Sequence, residues 1–229
     1  MCGIAGIIGR RAVRSAAVQH MNTLQEHRGP DDQGIWQSPD GRIGLGHRRL
    51  SIIDTSASGH QPMISGPQVI TFNGEIYNYV EIGAKLKAEG VALETASDTE
   101  VLLKAYQQWG EAVLNELNGM FAFAIYDADR NTLFCARDRF GEKPFLFHST
   151  PDCFAFASEY KALLSLETID TSYDEHRVLR FLYHPTSGLD DDIQTVFDDV
   201  KQLPPGHSLT LNTQSMDYQI KRYWDVTPN

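Results

Sequence analysis

Residues 120–126 read Met-Phe-Ala-Phe-Ala-Ile-Tyr and residues 132–137 read Thr-Leu-Phe-Cys-Ala-Arg, separated by the turn-forming Asp127-Ala-Asp-Arg-Asn. Two such runs around a polar turn read as an antiparallel hairpin. The pattern recurs. Phe145 to His148 and Cys153 to Ala157 flank Ser149-Thr-Pro-Asp, and His207 to Leu211 and Tyr218 to Trp224 flank another polar stretch. Gly3 to Gly9 and Gln68 to Phe72 are single strand signals. Helical spacing fills the intervals: Val13, Ala17, Met21 and Leu24 up to Gly29-Pro30, Val80, Gly83 and Leu86 up to Gly90, and Val101, Leu102, Ala105 and Trp109 up to Gly110, with Asp98 or Thr99 as the cap. Ala112 to Leu117 and Asp174 to Tyr183, the latter stopped at Pro185, are two further helices. Helices interleaved with hairpins, rather than with single parallel strands, place the 229-residue chain in the α+β class.

Charge and composition narrow the function. Lys and Arg total 20 against 30 Asp and Glu, a net charge of −10 that disfavours non-specific nucleic-acid binding. No apolar run approaches the roughly 18–20 residues that span a bilayer, and the N-terminus lacks the pattern of a secretory signal. Three scattered cysteines, Cys2, Cys135 and Cys153, do not make a disulfide framework. The expectation is a cytoplasmic protein with neither a nucleic-acid nor a membrane partner. The acidic run Asp190-Asp191-Asp192 reads as a solvated turn, and Cys135 and Cys153 read as small core side chains. The histidines lack metal-ligand spacing, so no metal site is expected. Gly41-Arg42-Ile43-Gly44-Leu45-Gly46 is neither a dinucleotide fingerprint nor a phosphate loop.

Cys2 carries the most chemistry. It follows Met1 and precedes Gly3, and a small second residue is the usual condition for methionine removal. Removal would give Cys2 a free α-amine, with a reference pKa of about 7.7–8.0, beside its own thiol. Nucleophile and base would then share one residue. Taken alone, a cysteine at position 2 is more often an ordinary residue.

The motifs that follow, in order, are Cys2-Gly3-Ile4-Ala5-Gly6, Arg28-Gly29-Pro30-Asp31, His47-Arg48-Arg49-Leu50-Ser51-Ile52-Ile53-Asp54, Phe72-Asn73-Gly74-Glu75-Ile76-Tyr77-Asn78, Ser97-Asp98-Thr99-Glu100, Gly119-Met120-Phe121-Ala122-Phe123-Ala124, Ala136-Arg137-Asp138-Arg139-Phe140-Gly141-Glu142-Lys143-Pro144 and Ala157-Ser158-Glu159-Tyr160-Lys161-Ala162-Leu163. With them the chain resembles the class II glutamine amidotransferase domain of the glutamine-hydrolysing asparagine synthetase family, over nearly its whole length. The resemblance implies an N-terminal-nucleophile hydrolase, a four-layer αββα sandwich of two antiparallel sheets. It implies a glutaminase domain over residues 2–206. Residues 207–229 would form a C-terminal hairpin and the start of a connection to an absent synthetase domain.

The resemblance also implies roles, each standing beside a plainer reading. Cys2 would attack the glutamine amide carbon and form a thioester. Asn73 and Gly74 would supply the oxyanion donors, although Asn-Gly by itself favours a type I′ hairpin turn. Arg49 would grip the substrate carboxylate, or is a surface charge beside Arg48. Asp98 and Glu75 would receive the ammonium, while Asp98 also reads as a helix cap. Leu50, Ser51, Ile52 and Ile53 would form a wall of backbone contacts, or a buried strand end. Arg28 and Asp31 are expected to fix the loop near the nucleophile, and Arg137, Asp138 and Lys143 to form structural ion pairs on the face toward a partner domain. Glu142 departs from the apolar residue common at that point of the family motif, at a position expected to be exposed.

The implied partners are L-glutamine and a synthetase domain in cis or in trans, and a homodimer is compatible. The glutaminase step needs no cofactor, and ATP and magnesium would serve only the synthetase domain. Two other functions stay open: an amidotransferase feeding another acceptor, and a catalytically silent assembly or regulatory domain. An apolar patch near Arg137 to Pro144 is expected where a synthetase domain would dock.

Overall fold

A computed structural model of the chain describes residues 1–53, 56–185 and 193–226; Asp54 and the acidic run Asp190 to Asp192 lie outside the described residues. The first sheet has strand order β10-β8-β9-β1-β3-β2, where β1 is Gly3–Gly9, β2 Asp32–Gln37, β3 Ile43–Arg49, β8 Leu146–Ser149, β9 Cys153–Ala157 and β10 Lys201–Gln202. The second has order β12-β11-β7-β6-β5-β4, where β4 is Met63–Ser65, β5 Gln68–Ile76, β6 Gly119–Asp127, β7 Thr132–Arg137, β11 His207–Asn212 and β12 Tyr218–Arg222. Every neighbouring pair is antiparallel. The helices are α1 Ser15–Leu24, α2 Tyr79–Ala88, α3 Asp98–Trp109, α4 Val113–Glu116, α5 Tyr160–Leu163 and α6 Glu175–Tyr183.

The continuous apolar runs follow from the layering. In β6, Ala122, Ala124 and Tyr126 enter the core between the sheets, where Ile4, Ile8 and Leu45 of the first sheet meet them. Phe121, Phe123 and Ile125 point the other way, into a core shared with α2 and α3. In β1, Ile4 and Ile8 face the second sheet while Ala5 and Ile7 face α1 and α5. Successive strand residues alternate faces, so a strand apolar throughout is one covered on both sides. Two sheets between two helical layers make the αββα sandwich that the resemblance implies.

The structure corrects several local expectations. The Gln68 strand runs on to Ile76, so Asn73 and Gly74 lie inside β5, opposite Ala122 and Phe121, and not in a hairpin turn. Strands β2 and β3 carry no clear local signal because glycines interrupt them. A Cβ at Gly44 would come 2.6 Å from Val18 of α1, so the glycine lets the helix approach the sheet closely. The cap of α3 is Ser97, whose hydroxyl accepts from Thr99 N, and the Asp98 side chain is left for other work. Cys135 is buried in the inter-sheet core, whereas Cys153 is only half-buried. Among the described residues, no helix is long and apolar enough to cross a membrane, and no group of three or more His, Cys, Asp or Glu could hold a metal ion.

Candidate active site

The register of the first sheet brings the N-terminus to the site. Gly3 pairs with Arg48 and Ile4 with His47, so continuing the ladder by one residue sets Cys2 beside Arg49. Cys2 and Arg49 share the strand parity of Ile4 and of Ile43 and Leu45, the face turned toward the second sheet. Facing them, β5 runs beyond the end of β4, which pairs only with residues 68–70. Its outer edge from Thr71 to Ile76 is therefore open to other partners.

Along that edge the ladder decides which donors are spent. Phe121 directs both its N–H and its C=O to Asp138, away from β5. Gly74, opposite Phe121, is then a non-hydrogen-bonded pair, and its N–H turns outward. Phe72 and Ile76 share that parity and both are occupied: Phe72 N donates to Gln61 Oε1 at 2.7 Å, and Ile76 N donates to Asp98 Oδ2 at 3.1 Å. Gly74 lies between two satisfied donors, with no acceptor of its own among the described residues. A Cβ at Gly74 would meet Met120 O at 2.2 Å, so the β5–β6 approach requires glycine there. Asn73 is 1% exposed, and neither its Nδ2 nor its Oδ1 has a hydrogen-bond partner. A buried amide with unspent capacity costs about 1–3 kcal/mol and marks a place that a polar ligand completes.

A cavity of about 280 Å³ collects these groups, lined among others by Cys2, Arg49, Asn73, Gly74, Glu75 and Asp98. Leu50, Ile52 and Ile53 line it too. Ser51 does not: its N–H is held by Asp31 Oδ2 at 2.8 Å, and it faces a neighbouring groove. Nor is this segment a buried strand end, since β3 stops at Arg49 and Ile52 is 56% exposed. Gln61, which no sequence motif singles out, donates to Thr99 Oγ1 at 3.2 Å, and both line the same cavity, Thr99 as a wall residue and not as the cap. A lone glutamine before a proline carries no local signal. Lys143, expected to be architectural, is buried and also reaches the wall.

Each of these polar groups is braced. The Cys2 thiol lies 3.4 Å from Leu50 N. Burial pushes its pKa up, opposed by the Leu50 hydrogen bond, the chain's N-terminal ammonium and Arg49. Arg49 is buried, its Nη1 donates to Ser56 O at 2.7 Å, and a Cβ at Gly59 would fall 2.0 Å from its Nη2. It is no surface charge. Burial raises Asp98 to about 6 against the hydrogen bonds from Ile76 and Thr99, and the Glu75 charge raises it further. His47 bridges the sheets by donating from Nε2 to Phe72 O at 2.9 Å, with Nδ1 buried and unpartnered. Burial lowers its pKa to about 4, so it is a neutral clamp between β3 and β5.

Arg28 Nε donates to Cys2 O at 2.8 Å and Asp31 Oδ2 accepts from Ser51 N, so Arg28 and Asp31 both hold the backbone around Cys2. Asp138 forms no ion pair among the described residues: it is buried, and its carboxylate receives the backbone N–H groups of Phe121, Phe140, Glu142 and Lys143. Glu142 is exposed, as expected.

The sequence model of the glutamine amidotransferase domain family matches residues 1–224. The chain belongs to that family. Among curated relatives, the amidotransferase chain is 35% identical to a putative asparagine synthetase [glutamine-hydrolyzing] of Methanocaldococcus jannaschii, over 99% of this chain and 47% of that protein. It is 38% identical to a putative asparagine synthetase [glutamine-hydrolyzing] of Mycobacterium bovis, over 98% of this chain and 37% of the relative. The amidotransferase chain thus spans less than half the length of either. Among solved structures it shares its fold with glutamine phosphoribosylpyrophosphate amidotransferase from B. subtilis, with a TM-score of 0.70 over 97% of this chain and 49% of that one, at 20% identity.

Proposed function

We propose that this domain hydrolyses L-glutamine to glutamate and ammonia through a thioester on Cys2. The ammonia would feed ATP-dependent amidation of aspartate or a related carboxylate by a synthetase domain, in cis or in trans. ATP and magnesium would serve only that second domain. The observation that carries this reading is the unspent Asn73 amide beside the outward Gly74 N–H, in one cavity with the Cys2 thiol.

Removal of Met1 frees the Cys2 α-amine, which takes the thiol proton as Sγ attacks the side-chain carbonyl carbon. An S–C bond forms and the carbonyl oxygen becomes an oxyanion, received by Asn73 Nδ2 and Gly74 N–H. Collapse breaks the C–N bond, and the α-ammonium returns the proton so that ammonia leaves. Water, deprotonated by the same amine, cleaves the thioester to glutamate and regenerates the thiol. Arg49 holds the α-carboxylate by charge-assisted hydrogen bonds. The Asp98 carboxylate receives the α-ammonium together with Glu75, through its backbone or side chain, and Leu50, Ile52 and Ile53 close the side of the cavity.

Glutamate release by protein shown by intact mass to begin at Cys2 tests the reading. Cys2→Ala is expected to abolish release and leave the thermal melt intact, and an electrophilic glutamine analogue is expected to label Cys2 alone. Label on Cys135 or Cys153, or equal turnover by verified Met1-retaining protein, would refute it.

A further inference from the structure

The ladder between β1 and β9 ends at Ala5 and Ala157. Ser158 extends it by one step, giving its N–H to Ile4 O and accepting Ile4 N on its hydroxyl, both at 3.0 Å. The chain then turns away into α5, so no strand remains to receive the Cys2 carbonyl on that side. A side chain replaces it. Arg28 Nε donates to Cys2 O at 2.8 Å, and Arg28 Nη1 donates to Glu159 Oε1 at 3.0 Å. The Arg28 side chain is only 9% exposed, and Glu159 is the one carboxylate paired with it among the described residues. Glu159 is itself gripped from its outer side, by His27 Nε2 at 2.8 Å and by Lys161 Nζ at 3.3 Å. Burial raises the Glu159 carboxyl, but the hydrogen bonds from Arg28, His27 and Lys161 outweigh it and hold the group below its usual range. It is therefore an ionised anchor at neutral pH.

We propose that Glu159 is a positioning residue for the nucleophile, fixing Arg28 and through it the backbone of Cys2. The inference rests on the glutaminase reading above. Cys2 is the end of the chain once Met1 is gone, with one covalent neighbour to restrain it, so its thiol can be aimed only by bonds such as these. Without Glu159 the buried Arg28 cation would turn toward water and draw the Cys2 carbonyl with it. A misplacement of about 1 Å at a reacting group can cost ~100-fold in rate.

The test compares Glu159→Ala, Glu159→Gln and Arg28→Ala in protein starting at Cys2. Glu159→Ala is expected to lower kcat about 10- to 100-fold with KM within about twofold, and to slow labelling of Cys2 by the electrophilic analogue to the same degree. Glu159→Gln keeps an acceptor for Arg28 and is expected to stay within about threefold of the parent. In an Arg28→Ala background, Glu159→Ala is expected to add nothing, because both act along one path. Unchanged kcat per folded molecule with only a lowered melting temperature would overturn the proposal. So would a change confined to KM, additive losses in the double variant, or a Gln variant as slow as the Ala one. If the parent protein itself releases no glutamate, the glutaminase reading falls; if it does and Glu159→Ala matches it, only this inference falls.

Discussion

In the proposed reaction Asn73 and Asp98 divide transition-state from ground-state work within one cavity. The Asn73 amide has no hydrogen-bond partner of its own, so in the proposed reaction its donor is free for the oxyanion. Asn73→Ala is expected to lower kcat about 100- to 1,000-fold with little effect on KM, read by steady-state glutamate release. Asp98 is an ionised carboxylate held at a cost: burial has moved it from 3.8 to about 6. As pH falls through 6 it takes a proton and loses its charge for the ammonium. KM for glutamine should therefore climb about tenfold per pH unit below that point. Asp98→Asn should raise KM at pH 7.5 and abolish this dependence. A KM flat from pH 5 to 7.5 in the parent would refute the ammonium role.

Two titrating groups on different elements oppose each other in the stability of the fold. Asp98 opens α3 with its pKa raised by burial, so the folded state binds its proton the more tightly. Its contribution is greatest below the unfolded value and is lost as pH rises through 6, on the order of 2–3 kcal/mol. His47 on β3 is lowered by burial from 6.5 to about 4, so the unfolded state binds its proton the more tightly. Its contribution is complete above 6.5 and is lost on the way down to 4, on the order of 3 kcal/mol. The two partly cancel between pH 4 and 6. Thermal melts across that window are expected to show a steeper acid loss in Asp98→Asn than in the parent. His47→Gln keeps a donor for Phe72 O without the titration, and should become more stable as pH falls from 6 to 4. Parallel melting curves for all three proteins would contradict these assignments.

At the scale of the whole molecule, the −10 charge coexists with an apolar feature where a partner domain was expected. Phe140 is 70% exposed and meets Trp224 edge to face at 5.2 Å. On α6, Leu179, Leu182 and Tyr183 are also exposed. The exposed Phe140, within the 137–144 segment, fits the docking side that the proposed division of labour requires. Amidating a carboxylate with ATP requires a nucleotide site, and the sequence holds no phosphate-cradling loop. Purified chain incubated with glutamine, aspartate, ATP and magnesium is expected to yield glutamate without asparagine or AMP. ATP-dependent asparagine from this chain alone would refute the proposed division of labour.

Local sequence was enough for elements whose surroundings repeat along the chain. The runs at 3–9, 120–126 and 132–137 are strands because apolar residues stand at both parities, and the helices stop at Gly90, Gly110 and Pro185 because backbone chemistry stops them there. The ordered motifs likewise named Cys2, Arg49, Asn73, Gly74, Glu75 and Asp98, all of which line one cavity. Other features depended on what packs against what. Asn-Gly favours a turn until the β6 run pairs with it, Asp98 favours a cap until Ser97 takes that place, and Ser51 is a wall residue until Asp31 captures its N–H. Asp138 reads as an ion-pair partner until its own loop folds back to offer the N–H groups of Phe140, Glu142 and Lys143 and the β6–β7 register adds that of Phe121. Glu159 stands 131 residues from Arg28, so no local pattern could join them. Propensity is set by a residue and its near neighbours, whereas hydrogen-bond partners across sheets and layers are set by register and packing, which exist only once the chain has folded.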